Sequence, residues 1–332
     1  MLTTLIDGLL SIQILYVPLL YYIVIALLIL AAWAVYLLFI EEEGPLWLPG
    51  ECVYVNPVDS TEHSFPSITD SKASLYLSLI VPAYNEQDRL PKMLDETLTY
   101  LRNKSRKDLK FSYEIIIVDD GSKDKTAQIV QTYVQKESVD KIRLLKLKKN
   151  RGKGGAIKRG ILCARGKYCL MVDADGATDI ADFDRIEDMM LMVEDKGQGI
   201  VCGSRSHLVE SEVVAKRSAL RNFLMYGFHL FVQTLCVKGI KDTQCGFKLF
   251  SRATVRDVFI NLHIERWAFD VELLFIAQQL NIPIAEVAVN WTEIDGSKLD
   301  PFSSSIQMAK DILRIRLRYL FRIWSLKKVK TT

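Results

Sequence analysis

Two aspartates one residue apart, Asp173 and Asp175, close the apolar run Tyr168–Val172. Carboxylate oxygens at that spacing suit a hard divalent cation such as Mg2+ or Mn2+, which keeps coordination positions open for phosphate oxygens. Such an ion neutralises a diphosphate and stabilises the charge that develops as it leaves. The competing reading is a helix cap, because Asp at a strand-to-helix turn accepts backbone N–H bonds. Either aspartate alone fits a cap as readily as a ligand; the pair fits it less well. Two other polar clusters also end apolar runs: Pro82-Ala83-Tyr84-Asn85-Glu86 follows Leu77–Val81, and Asp119-Asp120-Gly121-Ser122 follows Tyr113–Val118. Each is ordinary turn chemistry by itself; three in equivalent places point to one site. Asn150-Arg151-Gly152-Lys153-Gly154-Gly155-Ala156 is a glycine-rich basic turn whose amides and Lys153 can approach an anion. It lacks the GxxxxGK of a Walker A loop, and no GxGxxG follows the first strand, which argues against a soluble dinucleotide-binding enzyme.

The elements that must carry these clusters alternate. Strands are expected at Leu77–Val81, Tyr113–Val118 (β-branched and suited to burial on both faces), Ile142–Leu145, Tyr168–Val172 and residues 199–203. Helical patterns run to about Arg102 and over Asp124–Gln135, Gly154–Ala164 and residues 182–195. That order implies crossover connections and a mainly parallel sheet flanked by helices. In such a sheet, ligands bind beyond the carboxyl ends of the strands, where all three acidic or polar clusters fall. Ala156, Gly160 and Ala164 recur every four residues and give a smooth stripe for close helix-to-sheet packing.

The chain has 332 residues and a net charge of only +3, which supplies no global field for nucleic acid. Residues 306–332 hold eight Lys or Arg against one Asp, so this tail carries +7 and the remainder −4. A basic tail on a mildly acidic body suits an anionic membrane surface. From Gly8 to Ile40, 33 residues carry no charge, more than the roughly 20 needed to cross a bilayer core. A cleaved signal peptide wants a basic start and a shorter apolar core, so residues 1–40 read as a retained transmembrane anchor. Orientation is not set by the flanks, which hold almost no Lys or Arg. Residues 41–75 read as a linker, 76–300 as the catalytic domain and 301–332 as a basic amphipathic helix on the membrane surface. In that last segment Arg314, Arg318 and Arg322 share one helical face, and Leu313, Leu317, Leu320 and Trp324 another. The uncharged stretch 223–237 is too short to span and suits a helix lying in the interface; its His229 reads as a buried histidine. The six cysteines form no CxxC pair and read as reduced thiols.

LIVPAYNE, EIIIVDDGSKDKT, NRGKGGAIKRG and VDADG, in that order, resemble glycosyltransferase family 2, with its GT-A nucleotide-diphospho-sugar transferase fold. The resemblance runs from about Leu77 to Thr292. GSRSHL, RNFLMYGFH, DTQCGFKLF and ERWAFDVELLF resemble the branch of that family that charges dolichyl phosphate with glucose. The resemblance implies UDP-glucose as donor, dolichyl phosphate as acceptor and a divalent metal as cofactor. It also implies one N-terminal anchor in the endoplasmic reticulum membrane, with the catalytic domain facing the cytosol.

Residue roles follow from the resemblance where the motifs match. Pro82, Tyr84 and Glu86 line the nucleotide pocket, with Asp119 or Asp120 against the uracil ring. Lys153 and Ala174 join the nucleotide-sugar side, and Asp173 and Asp175 bind metal and diphosphate. Arg205, Arg217 and Arg221 hold the acceptor phosphate, a task that suits the planar, permanently charged guanidinium. Gln244, Lys248 and Asp270 belong to the acceptor side, Asp270 as an orienting group or base. Inversion by direct attack of the acceptor phosphate is implied. A phosphate monoester, with its second pKa of about 6, needs little help from a general base. Residue chemistry alone does not separate UDP-glucose from GDP-mannose. His263–Trp267 (HIERW) differs from the QxxRW of processive polysaccharide synthases and precedes Asp270, and the intact acidic motif argues against an inactive membrane adaptor.

Overall fold

The computed structural model of the chain describes residues 21–36, 38, 44–69, 72–209, 227, 231–294 and 301–327. Its centre is a seven-stranded sheet in the order β5-β4-β3-β6-β8-β7-β9. The strands are β3 (Leu75–Ala83), β4 (Tyr113–Asp119), β5 (Ile142–Lys146), β6 (Gly166–Met171), β7 (Ile200–Ser204), β8 (Lys248–Ser251) and β9 (Ile284–Ala288). β4 is buried along its whole length, the signature of a strand covered on both faces. The covering helices are α1 (Leu90–Lys107), α2 (Thr126–Glu137), α3 (Lys153–Leu162), α4 (Phe183–Val193), α5 (Arg252–Val258) and α6 (Phe269–Gln279). In α1, Leu90, Met93, Leu94, Leu98 and Leu101 fall three to four residues apart and all turn inward, giving the helix one apolar face.

Six strands share one direction, and β8 runs antiparallel to both of its neighbours, β6 and β7. This reversed strand was not expected from the sequence, because its four residues are too few for a period to show. Its effect is large. It brings its first residue, Lys248, opposite Met171 and Cys202, to the edge where β3, β4 and β6 deliver their carboxyl ends. The small-residue stripe on α3 is confirmed: a methyl on Gly160 would stand 2.5 Å from Val118 and 2.7 Å from Ile80.

Three expectations are corrected. Residues 41–75 are not a free linker where they are described, from residue 44 on. They fold into an antiparallel hairpin, β1 (Val53–Val55) and β2 (Glu62–Ser64), and bury Phe65 and Ile68 in the core. Arg159 and Arg151 hold the carbonyls of Leu46 and Pro45, which fastens this segment to α3 and the turn before it. The end of the 223–237 stretch does not lie open to an interface either: Val232, Cys236 and Val237 are buried in the core, and His229 lies outside the described residues.

In the final helix, α7 (Pro301–Leu320), two arginines of the expected basic face turn inward, while Arg322, just beyond the helix, is exposed. Arg314 and Arg318 are buried, 3% and 5% exposed, and lie over the ring of Trp324 at 5.8 and 5.0 Å. That ring is also stacked on His263 at 4.0 Å, and the His263 Nδ1 lies 2.8 Å from the fully buried Glu272 of α6. An aromatic face stabilises a cation that leaves water, so these two arginines pack inward. Leu320, Phe321 and Ile323 are left exposed instead.

Residues 21–36 are helical, and Leu27, Leu28 and Ile29 in them stand exposed. Apart from residue 38, the remainder of the expected anchor lies outside the described residues. Among the described residues no helix is long and apolar enough to cross a membrane. All six cysteines are free thiols, as expected.

Candidate active site

The loops after β3 and β4 are stitched together before anything binds. The Asn85 amide donates to the Ser122 hydroxyl at 2.9 Å, the Lys123 amide to Asn85 Oδ1 at 2.8 Å, and the Glu86 amide to the Thr126 hydroxyl at 2.8 Å. Asn85 adopts φ +54°, the left-handed conformation that asparagine tolerates better than most residues. This wall carries Pro82 and Tyr84, both half-buried.

Asp119 and Asp120 divide their work. Both oxygens of Asp120 accept amides of the glycine-rich turn, Arg151 at 2.7 Å and Gly152 at 2.9 Å. Burial nevertheless pushes its carboxyl up to about 7, against the pull of those amides. Asp119 accepts the Ser122 amide at 2.9 Å through Oδ1, while its buried Oδ2 has no partner. Of the two, only Asp119 keeps a vacant acceptor.

Amides of the glycine-rich turn are committed within the protein itself. The Gly152 amide goes to Asp120 and the Gly155 amide to the Glu265 carbonyl at 2.7 Å. A methyl on Gly154 would stand 2.5 Å from Phe269. The glycines are there for close approach to the segment that opens α6, and Arg151 is taken by Pro45. Only the side chain of Lys153 projects from the turn towards the acidic motif, with its Nζ 2.5 Å from Asp173 Oδ1.

Asp173 sits among cations. Burial works against its charge, but Lys153, with Arg205 and Lys248, holds its carboxyl below the usual range. Asp175, held through Oδ1 by the Ala177 amide at 3.0 Å, is shifted the other way: burial and the neighbouring Asp173 raise it. A carboxylate raised by a second carboxylate gains from a cation placed beside it, so the donor set fits a divalent ion at Asp175. Among the described residues no cluster of three or more acidic, His or Cys side chains forms a closed cage. A hard divalent ion held by one or two carboxylates would keep positions free for other oxygens. The Ala174 methyl points into the core, 4% exposed, so that residue contributes backbone only.

The reversed strand closes the far side. Lys248, fully buried, donates to Asp270 Oδ1 at 2.7 Å and to the Cys245 carbonyl at 2.6 Å. Burial raises the Asp270 carboxyl, and Lys248 and Lys153 pull it only part of the way back. Asp270 is 3% exposed and has one carboxylate oxygen on a lysine. Gln244 is turned towards Met308 of α7, its Nε2 2.9 Å from the sulfur. Gly246 lies against the acidic motif: a Cβ there would stand 1.9 Å from Asp173 Oδ2. Arg205, at the end of β7, is gripped by Asp242 through Nε at 2.8 Å and Nη2 at 3.0 Å. Arg217 and Arg221 lie outside the described residues.

Four contributors escaped the sequence reading. Arg89 forms a double hydrogen bond with Glu86, which holds its guanidinium above the usual value, and Asp175 and Asp173 add to that field. Its position three residues after Glu86 at a helix start was the available signal. Asp242, Gly246 and Trp291 become visible only once β8 and β9 place them.

The sheet order and the edge to which the motifs converge are those of the GT-A fold. The profile of glycosyl transferase family 2 matches residues 78–259. The chain belongs to glycosyltransferase family 2. It is 70% identical over 295 residues to a dolichyl-phosphate beta-glucosyltransferase of Dictyostelium discoideum, covering 88% of this chain and 90% of that protein. A human dolichyl-phosphate beta-glucosyltransferase is 55% identical over 271 residues, covering 81% and 83%. One from Saccharomyces cerevisiae is 38% identical, covering 92% and 94%. Among solved structures, glucosyl-3-phosphoglycerate synthase from Mycobacterium tuberculosis superposes with a TM-score of 0.51 at 17% identity, covering 75% of this chain and 82% of that one. At that identity the likeness concerns the fold.

Proposed function

We propose that this chain transfers glucose from UDP-glucose to dolichyl phosphate, inverting the anomeric carbon to give dolichyl β-glucosyl phosphate. The observation that carries the reading is the convergence at one sheet edge. Asp173, Asp175, Lys153 and Arg205 stand together there, beside a wall that offers Asp119 a vacant acceptor. The names of its relatives, up to 70% identical over most of the chain, support glucose and dolichyl phosphate over GDP-mannose.

In this reading the uracil ring stacks at Tyr84 and donates its N3–H to Asp119 Oδ2, while Asp120 keeps the glycine-rich turn in place. Asp175, with Asp173, would hold a Mg2+ or Mn2+ ion, which when bound supplies positive charge to the diphosphate. Lys153 reaches the same oxygens by exchanging Asp173 for phosphate. Arg205, with Arg217 and Arg221, holds the acceptor phosphate in line with the anomeric carbon. A phosphate oxygen forms the new bond to that carbon as its bond to UDP breaks, and no proton need be removed because the monoester is already ionised near neutrality. Positioning and charge stabilisation carry the rate.

The acceptor's lipid calls for a membrane. The proposed arrangement is a single span within residues 1–40, the domain on the cytosolic face of the endoplasmic reticulum, and α7 against the surface. What supports it is the uncharged run 8–40 and the outward Leu320, Phe321 and Ile323, not the basic face first expected. The purified full chain, given labelled UDP-glucose or GDP-mannose with dolichyl phosphate, tests the reading. Label should enter lipid from the first donor; incorporation from GDP-mannose alone would reject it.

A further inference from the structure

Arg205 is aimed by a chain of contacts that begins at Asp242. Its Nε and Nη2 both donate to the Asp242 carboxylate, and its backbone amide donates to Asp242 Oδ2 at 3.0 Å. The guanidinium lies over the Trp291 ring at 5.5 Å. Trp291 is fixed in turn by its bridge to Thr178, three residues beyond Asp175. Asp242 does not rest on Arg205 alone: its own amide and that of Lys241 both donate to Glu286 of β9 at 2.9 Å. A guanidinium carries five N–H groups in one plane. Two of them are committed to Asp242 along the Nε–Nη2 edge. What remains is the Nη1–Nη2 edge, two parallel donors spaced for two oxygens of one phosphate.

We propose that Asp242 is a positioning residue: it fixes the rotation of Arg205 so that this second edge faces the acceptor phosphate. The proposal rests on the assignment of Arg205 to the acceptor given above. It also runs against simple electrostatics. An Asp beside a phosphate-binding Arg lowers the local positive potential, so if charge alone mattered, Asp242→Asn would tighten the acceptor. If orientation matters, the same change does the opposite, because the asparagine NH2 faces a guanidinium N–H and drives the fork away.

The test is steady-state glucosyl transfer by the full chain, varying dolichyl phosphate at saturating UDP-glucose. Asp242→Asn should raise the acceptor KM about tenfold or more, by the usual sensitivity of ångström-scale misplacement. The KM for UDP-glucose should stay within about twofold. Introduced into an Arg205→Lys background, the same substitution should change the acceptor KM less than about twofold, since it acts through the guanidinium. A lowered or unchanged acceptor KM, or effects that simply multiply in the double variant, overturns the proposal. If Asp242→Asn does not accumulate as folded protein, Asp242→Glu serves. It keeps the charge and lengthens the arm by one methylene, and an unchanged acceptor KM there is equally fatal. Failure of the functional reading is separately visible, because the wild-type chain would then not transfer glucose to dolichyl phosphate at all.

Discussion

Gly246→Ala is a perturbation whose point of action can be read from distances. The added Cβ would stand 1.9 Å from Asp173 Oδ2, 2.3 Å from Cγ and 2.6 Å from Oδ1. Carbon and oxygen do not approach closer than about 3 Å without overlap, so the carboxylate must move by about 1 Å or more. It has somewhere to go, because the Asp173 side chain is 31% exposed and its obstacle is a side-chain end. The fold therefore survives, and the 2.5 Å pair with Lys153 is what breaks. Misplacing a group of the reacting centre by 1 Å costs on the order of 100-fold in rate, or about 2.7 kcal/mol of barrier. The assay is transfer of labelled glucose to dolichyl phosphate under saturating conditions, run beside a thermal melt. A kcat near 1% of wild type with a melting midpoint within a few degrees supports the reasoning. Activity within about threefold of wild type means that the contact of Gly246 with Asp173 does not govern catalysis.

Other outcomes follow from the same geometry. Asp120, with its carboxyl raised to about 7 by burial, binds a proton more tightly in the folded chain than in the unfolded one. Its contribution to stability is therefore full below the unfolded value of about 4 and is lost as pH rises towards 7, at roughly 1.4 kcal/mol per pH unit. Urea unfolding at pH 5 and pH 8 should show wild type losing about 2–3 kcal/mol relative to Asp120→Asn; parallel curves would contradict it. Trp324→Ala removes a ring 7% exposed that packs on His263 and two arginines, and should cost about 3 kcal/mol and free α7 for proteolysis. A melt unchanged by that substitution refutes the inward packing of the arginines. Asn103-Lys104-Ser105 and Asn290-Trp291-Thr292 are glycosylation sequons, and both should carry no glycan when the chain is expressed in cells. The Asn290 side chain already donates to Asp182 at 3.0 Å, and a glycan on either residue would reverse the proposed orientation.

The parts of this molecule legible in the sequence are those whose signal is local. β4 announces itself through four consecutive buried β-branched positions, Ile115 to Val118, and the three clusters that follow β3, β4 and β6 could be assigned to one edge from strand order alone. What stayed hidden depends on partners distant in the chain. Asp120 and Asp119 look alike in sequence, yet one is saturated by amides 31 and 32 residues on and the other retains a vacant oxygen. The glycines at 152–155 suggested an anion site because glycine permits many close approaches; here the approaching group is the chain around Phe269. The pattern of Arg314 and Arg318 suits a basic face on a membrane surface, since a helical pattern cannot report that Trp324 packs against both. Lys248 joined the site for a topological reason, the reversal of β8, which four residues do not encode by themselves.

The most direct test of the central claim is product formation by the full chain in bilayers, with dolichyl phosphate, labelled UDP-glucose and Mg2+ or Mn2+, for wild type and Asp175→Ala side by side. The account predicts a β-linked glucosyl phospholipid from the wild type and a loss of about 100-fold or more in the variant. Product at near wild-type rate from Asp175→Ala, or none from the wild type, would contradict it.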